Sequence, residues 1–417
     1  MKVVVQKFGG TCVESEPNQL LSAERIMEAR DRGLHPVVVV SAMGREGQPY
    51  STVELVKTVR RIDPQIQPRE LDLLMSCGEI ISTVAMATLL RTKGYETIAF
   101  SGGQAGLITD EVFGHARIVR LEPDPLLRAL QDGLMVFVAG FQGNTKDHQI
   151  TTLGAGGSDY TAVALTWVIQ GTPQLPFGEK LEVAPLQIFK EVDGVMTADP
   201  NSLEKGVSAE TIPSLTYDEC VWMSRLGAEV LQQQAAEMAR EHQIPFAVRD
   251  FRDAERPGTQ VGGVSAGARD DRATAIADQA RLLVFDLATS DRRLLLQISE
   301  RLDRERIAYY QLRAKGSQAR FAVGPLKYRD VGAVVGQVLA SRGVETTVNA
   351  GDFALVSVVG EALRQRLEVW AREADKALAK GGIEVHGTSQ DEISLSYLVP
   401  EAHRKKAVTL LHKQLVQ

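Results

Sequence analysis

Four consecutive valines, Val37–Val40, constrain the fold more than any other feature of this 417-residue sequence. A short run this apolar predicts a strand buried on both faces, because a half-buried strand would alternate apolar and polar residues. Comparable strands are predicted at Val3–Phe8, Thr97–Phe100, Met135–Phe141 and Leu186–Phe189, with helices at Leu20–Arg30 and Glu79–Leu90. This alternation predicts an α/β fold, a mainly parallel sheet sandwiched by helices, with ligands beyond the carboxyl ends of the strands.

Charge and cysteine content argue against several classes of function. Lys and Arg number 47 against 53 Asp and Glu, a net charge of −6 that offers no basic surface for nucleic acid or an anionic membrane. We find no uninterrupted apolar stretch near the ~18–20 residues of a membrane span, and no secretory leader. Three scattered cysteines indicate reduced thiols, and the seven histidines show no metal-ligand spacing. We therefore expect a cytoplasmic protein.

The pattern changes after residue 250. We predict one domain over 1–250 and a linker or edge hairpin over 251–278, which is rich in Arg, Asp, Gly and Ala. Two βαββαβ-like, ferredoxin-like units of about 70 residues follow, at 279–348 and 349–417. The second unit is predicted to include short strands at Ile383–Val385 and Ile393–Leu398.

The first loop after a strand reads Lys7-Phe8-Gly9-Gly10-Thr11. Glycines let the backbone approach a phosphate closely, and Lys7 could reach a phosphoryl group as a point charge. A tight turn beside a solvated lysine explains the same residues equally well.

Two further segments carry candidate polar groups. Residues 151–162, TTLGAGGSDYTA, form a glycine loop that opens a helix, and Ser158 and Asp159 would fit its N-cap without any further function. The glycines exceed what a cap requires, which favours an anion or substrate loop. Glu79, in Ser76-Cys77-Gly78-Glu79, would begin a helix, where a carboxylate simply complements the helix dipole.

Taken in order along the chain, these segments resemble the aspartate kinases of the amino-acid-kinase family, with C-terminal tandem ACT domains. The segments that carry the resemblance are KFGGT (7–11), VVVVSAMG (37–44), SCGE (76–79), GGQAGLITD (102–110), VAGFQG (138–143), TTLGAGGSDYTA (151–162), DGVMTADP (193–200) and LTYDE (215–219). The 1–250 domain then corresponds to the catalytic domain, and 279–348 and 349–417 to ACT units.

The resemblance implies ATP-dependent phosphorylation of the β-carboxylate of L-aspartate, which feeds lysine, threonine and methionine synthesis, including the diaminopimelate pathway. It assigns catalytic roles to Lys7 and Asp159, and substrate contacts to Ser41, Glu79, Thr152 and Ser158, with Glu79 binding the substrate ammonium. Its nucleotide-binding positions are Lys7, Phe8, Gly9, Gly10, Lys190, Glu191 and Met196. It also implies Mg²⁺ carried by the nucleotide phosphates, a homodimer or other homo-oligomer, and an amino-acid effector (lysine, threonine or diaminopimelate) at the ACT units.

Several charged positions of the family differ in this sequence. The arginine of the family's glycine loop, which grips the substrate α-carboxylate, is Ala155 here. On the nucleotide side, Lys190-Glu191 replaces a Thr-Asp pair, Asn201 an arginine and Glu229 a lysine. A glutamate at a phosphate-facing position would repel a polyanion.

Three hypotheses follow. The chain is an aspartate kinase with adjusted contacts, a catalytically weakened regulatory paralogue that binds amino acids or pairs with an active subunit, or a kinase for another acceptor. The first and third hypotheses are favoured by the retained residues Lys7, Glu79, Ser158 and Asp159. The second is favoured by the charge lost at Ala155, Asn201 and Glu229.

Overall fold

The structure is a computed structural model that describes residues 1–228, 230–263, 272–287, 292–304, 307–312, 319–324, 331–341 and 346–417. The chain divides into two compact units. The first comprises Met1–Val195, Pro213–Tyr217 and Leu231–Val264, and the second Met196–Ile212, Asp218–Val230 and Ser265–Gln417.

The first unit is built on a largely parallel sheet. Its strands are β1 (Lys2–Phe8), β2 (His35–Val40), β3 (Thr97–Phe100), β4 (Leu107–Thr109), β5 (Ile118–Leu121), β6 (Met135–Ala139), β7 (Gln142–Asn144), β8 (Ile150–Thr152), β9 (Glu182–Val183), β10 (Leu186–Lys190), β11 (Ser214–Thr216), β12 (Phe246–Asp250) and β13 (Thr259–Gly262). The main sheet has the order β11-β13-β12-β10-β1-β2-β6-β3, and β9 also pairs with β1. Strands β12 and β13 pair antiparallel, and β13, which lies within 251–278, is the neighbour of the edge strand β11.

Helices flank this sheet. Those of the first unit are α1 (Glu16–Asp31), α2 (Thr52–Arg60), α3 (Pro68–Thr92), α4 (Asp124–Gln131), α5 (Gly157–Gln170) and α7 (Gln233–Glu241), whereas α6 (Tyr217–Arg225) belongs from Asp218 onward to the second unit. The valines of β2 are fully buried, as their continuous run predicted. A smaller sheet, ordered β5-β4-β7-β8, brings β8 to the start of the glycine loop.

Helix α3 has an unusual distribution of polarity. Its buried face carries polar side chains, including Asp72, Ser76 and Glu79, whereas Leu73 and Val84 are about half exposed. By length and composition α3 could cross a membrane, so the expectation that no segment reaches that length is wrong here. Half of the apolar window is nevertheless buried and two of its inward residues are carboxylates, as in the core helix of a folded domain.

The second unit contains one six-stranded sheet. Its elements are β14 (Ala275–Leu287), α8 (Arg292–Arg304), β15 (Tyr309–Leu312), β16 (Ala319–Val323), α9 (Val331–Ala340), β17 (Thr346–Val359), α10 (Leu363–Lys380), β18 (Gly387–Gln390), β19 (Ser394–Pro400) and α11 (Arg404–Leu411). The sheet order is β15-β16-β14-β17-β19-β18.

Strands β14 and β17 are long enough to serve two cores. Ile276, in the first half of β14, packs with Val358 of β17 and with α10, whereas Phe285, in its second half, packs with α8 and α9. The pairing shifts register near Leu282, between the two halves. The ferredoxin-like units thus share strands, so they are not the consecutive segments that the sequence pattern suggested.

One strand of this unit was placed incorrectly from the sequence. Ile383–Val385 is not a strand, and the edge strand is β18, which contains Gly387-Thr388-Ser389. Ile383 is buried in the core beside α10, so its apolar character reflects packing in a connection.

Candidate active site

The carboxyl ends of β1 and β2 are tied together. Ser41 donates its backbone N–H to the carbonyl of Phe8 at 3.1 Å, and Gly44 donates to the carbonyl of Gly10 at 3.4 Å. A Cβ atom on Gly10 would lie 2.8 Å from the carbonyl oxygen of Ala42, so this close approach requires glycine. The N–H of Gly9 donates to the carbonyl of Phe189 at 3.3 Å and is therefore already engaged.

Lys7 is not a solvated lysine. Its Nζ lies 2.7 Å from Oδ1 of Asp159, and both side chains are less than a tenth exposed. Burial by itself would raise the pKa of Asp159, but the charges of Lys7 and Lys190 and the backbone N–H of Gln232 hold this pKa below its ordinary value. Asp159 is therefore ionised at neutral pH and fixes the ammonium of Lys7 in place.

The glycine loop enters α5 without a side-chain cap. Gly156 is the N-cap residue, with φ +77°, and Gly154 also has φ +78°. The N-cap interpretation of Ser158 and Asp159 is wrong, because both lie within the first turn of the helix. A left-handed glycine ends the loop, which leaves Asp159 inside the helix to pair with Lys7, next to the positive end of the helix dipole.

Glu79 lies deep within α3. The helix begins at Pro68, so Glu79 does not start it and dipole complementation does not explain this residue. Its Oε1 accepts a hydrogen bond from the N–H of Ala42 at 3.0 Å. Its Oε2 is buried and has no hydrogen-bond partner among the described residues. Burial raises the pKa of Glu79 to about 8, an effect that the N–H groups of Ala42 and of Glu79 itself only partly offset.

Thr152 and Ser158 occupy buried positions on either side of the loop. The N–H and Oγ1 of Thr152 both donate to Asp72, each at 2.8 Å. Ser158 packs against Gly140 so closely that a Cβ atom there would lie 2.7 Å from the Ser158 side chain. Ser41 is half-buried, and its carbonyl accepts from Oγ of Ser82 at 2.7 Å.

The sequence analysis missed Asp72. This residue is 1% exposed and accepts hydrogen bonds from Thr152 and from the N–H of Gly114, at 2.8 Å. Its position seven residues before Glu79 was the available signal, because a spacing of seven places two side chains on one face of a helix.

The end of β10 carries the remaining predicted nucleotide contacts. Lys190 is near enough for its charge to lower the pKa of Asp159, whereas Glu191 is exposed and forms an ion pair with Arg45. Arg252 donates to the carbonyl of Glu191 at 2.8 Å and pairs with Asp250. The guanidinium of Arg45 therefore compensates the negative charge that Glu191 brings to this edge.

The other predicted or altered positions are less closely grouped. Ala155 is exposed in the glycine loop. Met196 and Asn201 belong to the second unit, where Met196 forms an isolated bridge with Thr211 and Asn201 bonds to Asp199. Glu229 lies outside the described residues.

Two buried carboxylates thus differ in protonation at one sheet edge. Asp159 is paired and ionised, while Glu79 holds its proton at neutral pH and presents an unpartnered oxygen. A cationic ligand group would complete Glu79, and the positive charges of Lys7 and Lys190 would attract an anion. In the described part of the chain, no group of three or more His, Cys, Asp or Glu side chains is arranged to hold a metal ion.

Comparison with known proteins defines the class of this site. The model of the amino acid kinase family matches residues 2–250, and an ACT domain model matches residues 356–415. The chain therefore belongs to the amino acid kinase family. Within that family its place is among the aspartokinases, because it is 34% identical to the aspartokinase of Bacillus sp. (strain MGA3) over 99% of this chain and 97% of the relative.

Solved structures agree with the fold. Escherichia coli aspartokinase III in complex with aspartate and ADP, in its R-state, has a TM-score of 0.79 at 22% identity, covering 100% of both chains. The T-state of the same enzyme in complex with lysine and aspartate has a TM-score of 0.68 at 21% identity, again over 100% of both chains. The fold class and the family predicted from the sequence are confirmed.

Proposed function

We propose that this chain transfers the γ-phosphoryl group of ATP to the β-carboxylate of L-aspartate, the first step towards lysine, threonine and methionine. The observation that carries the proposal is the buried Lys7–Asp159 pair at the glycine loop, with Glu79 presenting an unpartnered oxygen at the same sheet edge. The family assignment and the aspartate and ADP bound to the E. coli relative support it.

The reaction makes simple demands on these residues. The bond between the γ-phosphorus and the β-phosphate oxygen breaks, and a bond from phosphorus to a carboxylate oxygen of aspartate forms. The acceptor is already an anion, so no proton has to be removed and no general base is needed. Catalysis then consists of positioning and charge stabilisation, which Lys7 supplies from a fixed place beside Asp159.

Glu79 is suited to the substrate ammonium. A buried carboxyl with one unpartnered oxygen gains a charged partner when an ammonium binds, and it then loses its proton. Ser41, Thr152 and Ser158 would line the same pocket, since their loops are fixed by the hydrogen bonds and close contacts described above.

The residues present also fit a nucleotide. Lys7 and Lys190 provide positive charge, and the N-terminus of α5 provides the positive end of its helix dipole. When bound, Mg²⁺ would neutralise phosphate charge; we propose that the phosphates hold it, since Asp159 is already paired with Lys7. Phe8 and Glu191 border this edge, and the placement of Met196 there stays a prediction.

The regulatory-paralogue hypothesis has two observations in its favour. Ala155 places no charge in the glycine loop, and Glu191 places a carboxylate at the nucleotide edge. Because Arg45 compensates Glu191 and the Lys7–Asp159 pair is intact, we favour an active kinase.

Regulation and assembly complete the proposal. The lysine in the T-state E. coli complex and the ACT match support an amino-acid effector, such as lysine, threonine or diaminopimelate. The exposed apolar face of α3, with Leu73, Ile80, Ile81 and Val84 each more than a third exposed, supports a homo-oligomer. Light scattering on the wild type and on Val84→Glu would test this, and a monomeric wild type would refute it.

We also propose a cytoplasmic location, for which the free thiols Cys12, Cys77 and Cys220 are the support.

The enzymatic test traps the acyl phosphate as its hydroxamate. Purified protein with ATP, Mg²⁺ and L-aspartate should yield aspartyl hydroxamate, and Lys7→Ala should yield none. If folded wild-type protein yields none either, ATP-binding calorimetry decides between the alternatives: no binding supports the regulatory paralogue, and binding supports another acceptor.

A further inference from the structure

We infer that Asp72 is a positioning residue for this reaction: its buried carboxylate joins β8 to the loop that precedes β5 and thereby fixes the glycine loop relative to Lys7 and Glu79. The inference rests on the proposed function, because it assigns Asp72 to the same site. Asp72 does not correspond to any residue that the sequence motifs singled out.

Both oxygens of the Asp72 carboxylate accept hydrogen bonds from groups of the protein. Oδ2 accepts the N–H groups of Gly114 and Thr152, and Oδ1 accepts the hydroxyl of Thr152, all at 2.8 Å. One side chain on α3 therefore holds two segments that are about 40 residues apart in sequence (Gly114 and Thr152).

Asp72 and Glu79 differ in whether both carboxyl oxygens already have partners, and this difference distinguishes a positioning residue from a ligand-binding one. They lie on one face of the same rigid helix, about 10 Å apart along its axis. Both oxygens of Asp72 have partners, whereas Oε2 of Glu79 has none among the described residues. Because both Asp72 oxygens are already bound by the protein, we infer that Asp72 acts through the groups that it holds.

Those groups determine where the glycine loop starts. Ala116 donates its N–H to the carbonyl of Thr152 at 2.8 Å, which adds a second tie between the loop before β5 and β8. The next residue, Leu153, is held through its N–H by the carbonyl of Phe141 and through its carbonyl by Nε2 of Gln232. The loop therefore leaves a fixed strand end and re-enters the fold at α5, beside the Lys7–Asp159 pair.

The loop before β5 also places a side chain against the glycine loop. A Cβ atom on Gly154 would lie 2.5 Å from Nδ1 of His115, so the His115 ring covers this glycine. Gly114 and Ala116, on either side of His115, are the two residues bound to Asp72 and Thr152. Releasing Asp72 would move this ring and the loop together.

A purely stabilising role explains Asp72 less well. Burial of a carboxylate costs free energy, and here it raises the pKa of Asp72 to about 6 despite the three hydrogen bonds. An apolar residue would stabilise α3 at lower cost but could not hold Thr152 and Gly114. The fold keeps a costly group where it controls the geometry of the site.

The test compares Asp72→Asn and Asp72→Ala with the wild type in the hydroxamate assay. Asparagine keeps the shape of Asp72 but turns an NH₂ group towards N–H donors, so kcat/KM for aspartate should fall about tenfold to a hundredfold. Asp72→Ala removes all three hydrogen bonds and should lower kcat/KM for aspartate at least as far. KM for aspartate should rise while KM for ATP stays within about twofold, whereas a general loss of folding would lower the apparent kcat and change neither KM.

Ser76→Ala is the matched control, because Ser76 is equally buried on α3 and its hydroxyl only reaches the carbonyl of Leu73. It should behave like the wild type. Unchanged kinetics in Asp72→Asn, or a KM for ATP that rises as much as KM for aspartate, would overturn the inference.

The two proposals fail in distinguishable ways. A wild type that forms no hydroxamate refutes the proposed function, and amide hydrogen exchange then decides the role of Asp72. Faster exchange at 114–116 and 152–156 in Asp72→Asn, with no change in Ser76→Ala, would support positioning. Unchanged exchange there would overturn it.

Discussion

Glu79→Gln should make the protein more stable at alkaline pH while impairing its use of aspartate. The carboxyl of Glu79 has a pKa of about 8 in the fold, against an ordinary value of 4.5. Between these values the native state holds a proton that the unfolded chain has lost, so stability falls as pH rises. Glutamine keeps the acceptor for the N–H of Ala42 and has no proton to lose.

The size of this effect follows from the two pKa values. Between pH 5.5 and pH 8.5, titration of Glu79 removes about 3 kcal/mol of stability from the wild type and none from Glu79→Gln. For a unit of this size, that corresponds to a relative change in melting temperature of roughly 6–12 °C.

The assay is thermal unfolding of both proteins across this pH range, with Ser76→Ala as a control that should follow the wild type. Other groups titrate equally in all three proteins and cancel in the difference. The Gln variant should also raise KM for aspartate by about thirtyfold or more, because the ammonium loses its charged partner. A difference in melting temperature between the wild type and Glu79→Gln that stays constant across the pH range would refute the assignment of Glu79 as a buried, protonated carboxyl.

Three further predictions concern other residues. Lys7→Met should abolish hydroxamate formation and also lower the free energy of unfolding by about 3–5 kcal/mol, because it leaves Asp159 buried without its partner. The double variant with Asp159→Asn should recover much of the stability but no activity. An active Lys7→Met variant would contradict this account. Ala155→Arg should lower KM for aspartate about tenfold if the exposed loop position faces the α-carboxylate, and an unchanged KM would exclude that placement. His412 is fully buried, with Nε2 2.9 Å from Oγ1 of Thr197, and burial lowers its pKa. The unfolded chain therefore binds a proton at this residue before the native state does, and the second unit should lose stability as pH falls below 6.5. A melting temperature that is equally acid-sensitive in His412→Gln would refute this.

The sequence was informative where one physical effect dominates. Continuous apolar runs located β1, β2 and β10 to within a residue or two, because strands covered by helices on both faces are built mainly from apolar side chains. Lys7 and Asp159 were both identified as candidates, and the structure joins them in one ion pair.

The sequence was less informative where tertiary structure decides. Helix α3 begins 11 residues before the predicted start at Glu79, because its buried face mixes polar and apolar side chains and its exposed face also carries apolar ones, so no single apolar stripe marks the helix. Asp72 was hidden for the same reason. In the second unit, β14 and β17 each belong to two cores, and no local pattern shows which half of a long strand packs where.

The central claim is that an amino-acid carboxylate accepts the phosphoryl group and that Glu79 recognises its ammonium. The most direct measurement compares hydroxamate formation from L-aspartate and from succinate, which has the same carboxylates without the ammonium, using ATP and Mg²⁺. The wild type should favour aspartate by about thirtyfold or more in kcat/KM, and Glu79→Gln should lose most of that preference. Equal turnover of the two acids by the wild type, or a preference that survives in Glu79→Gln, would contradict the account.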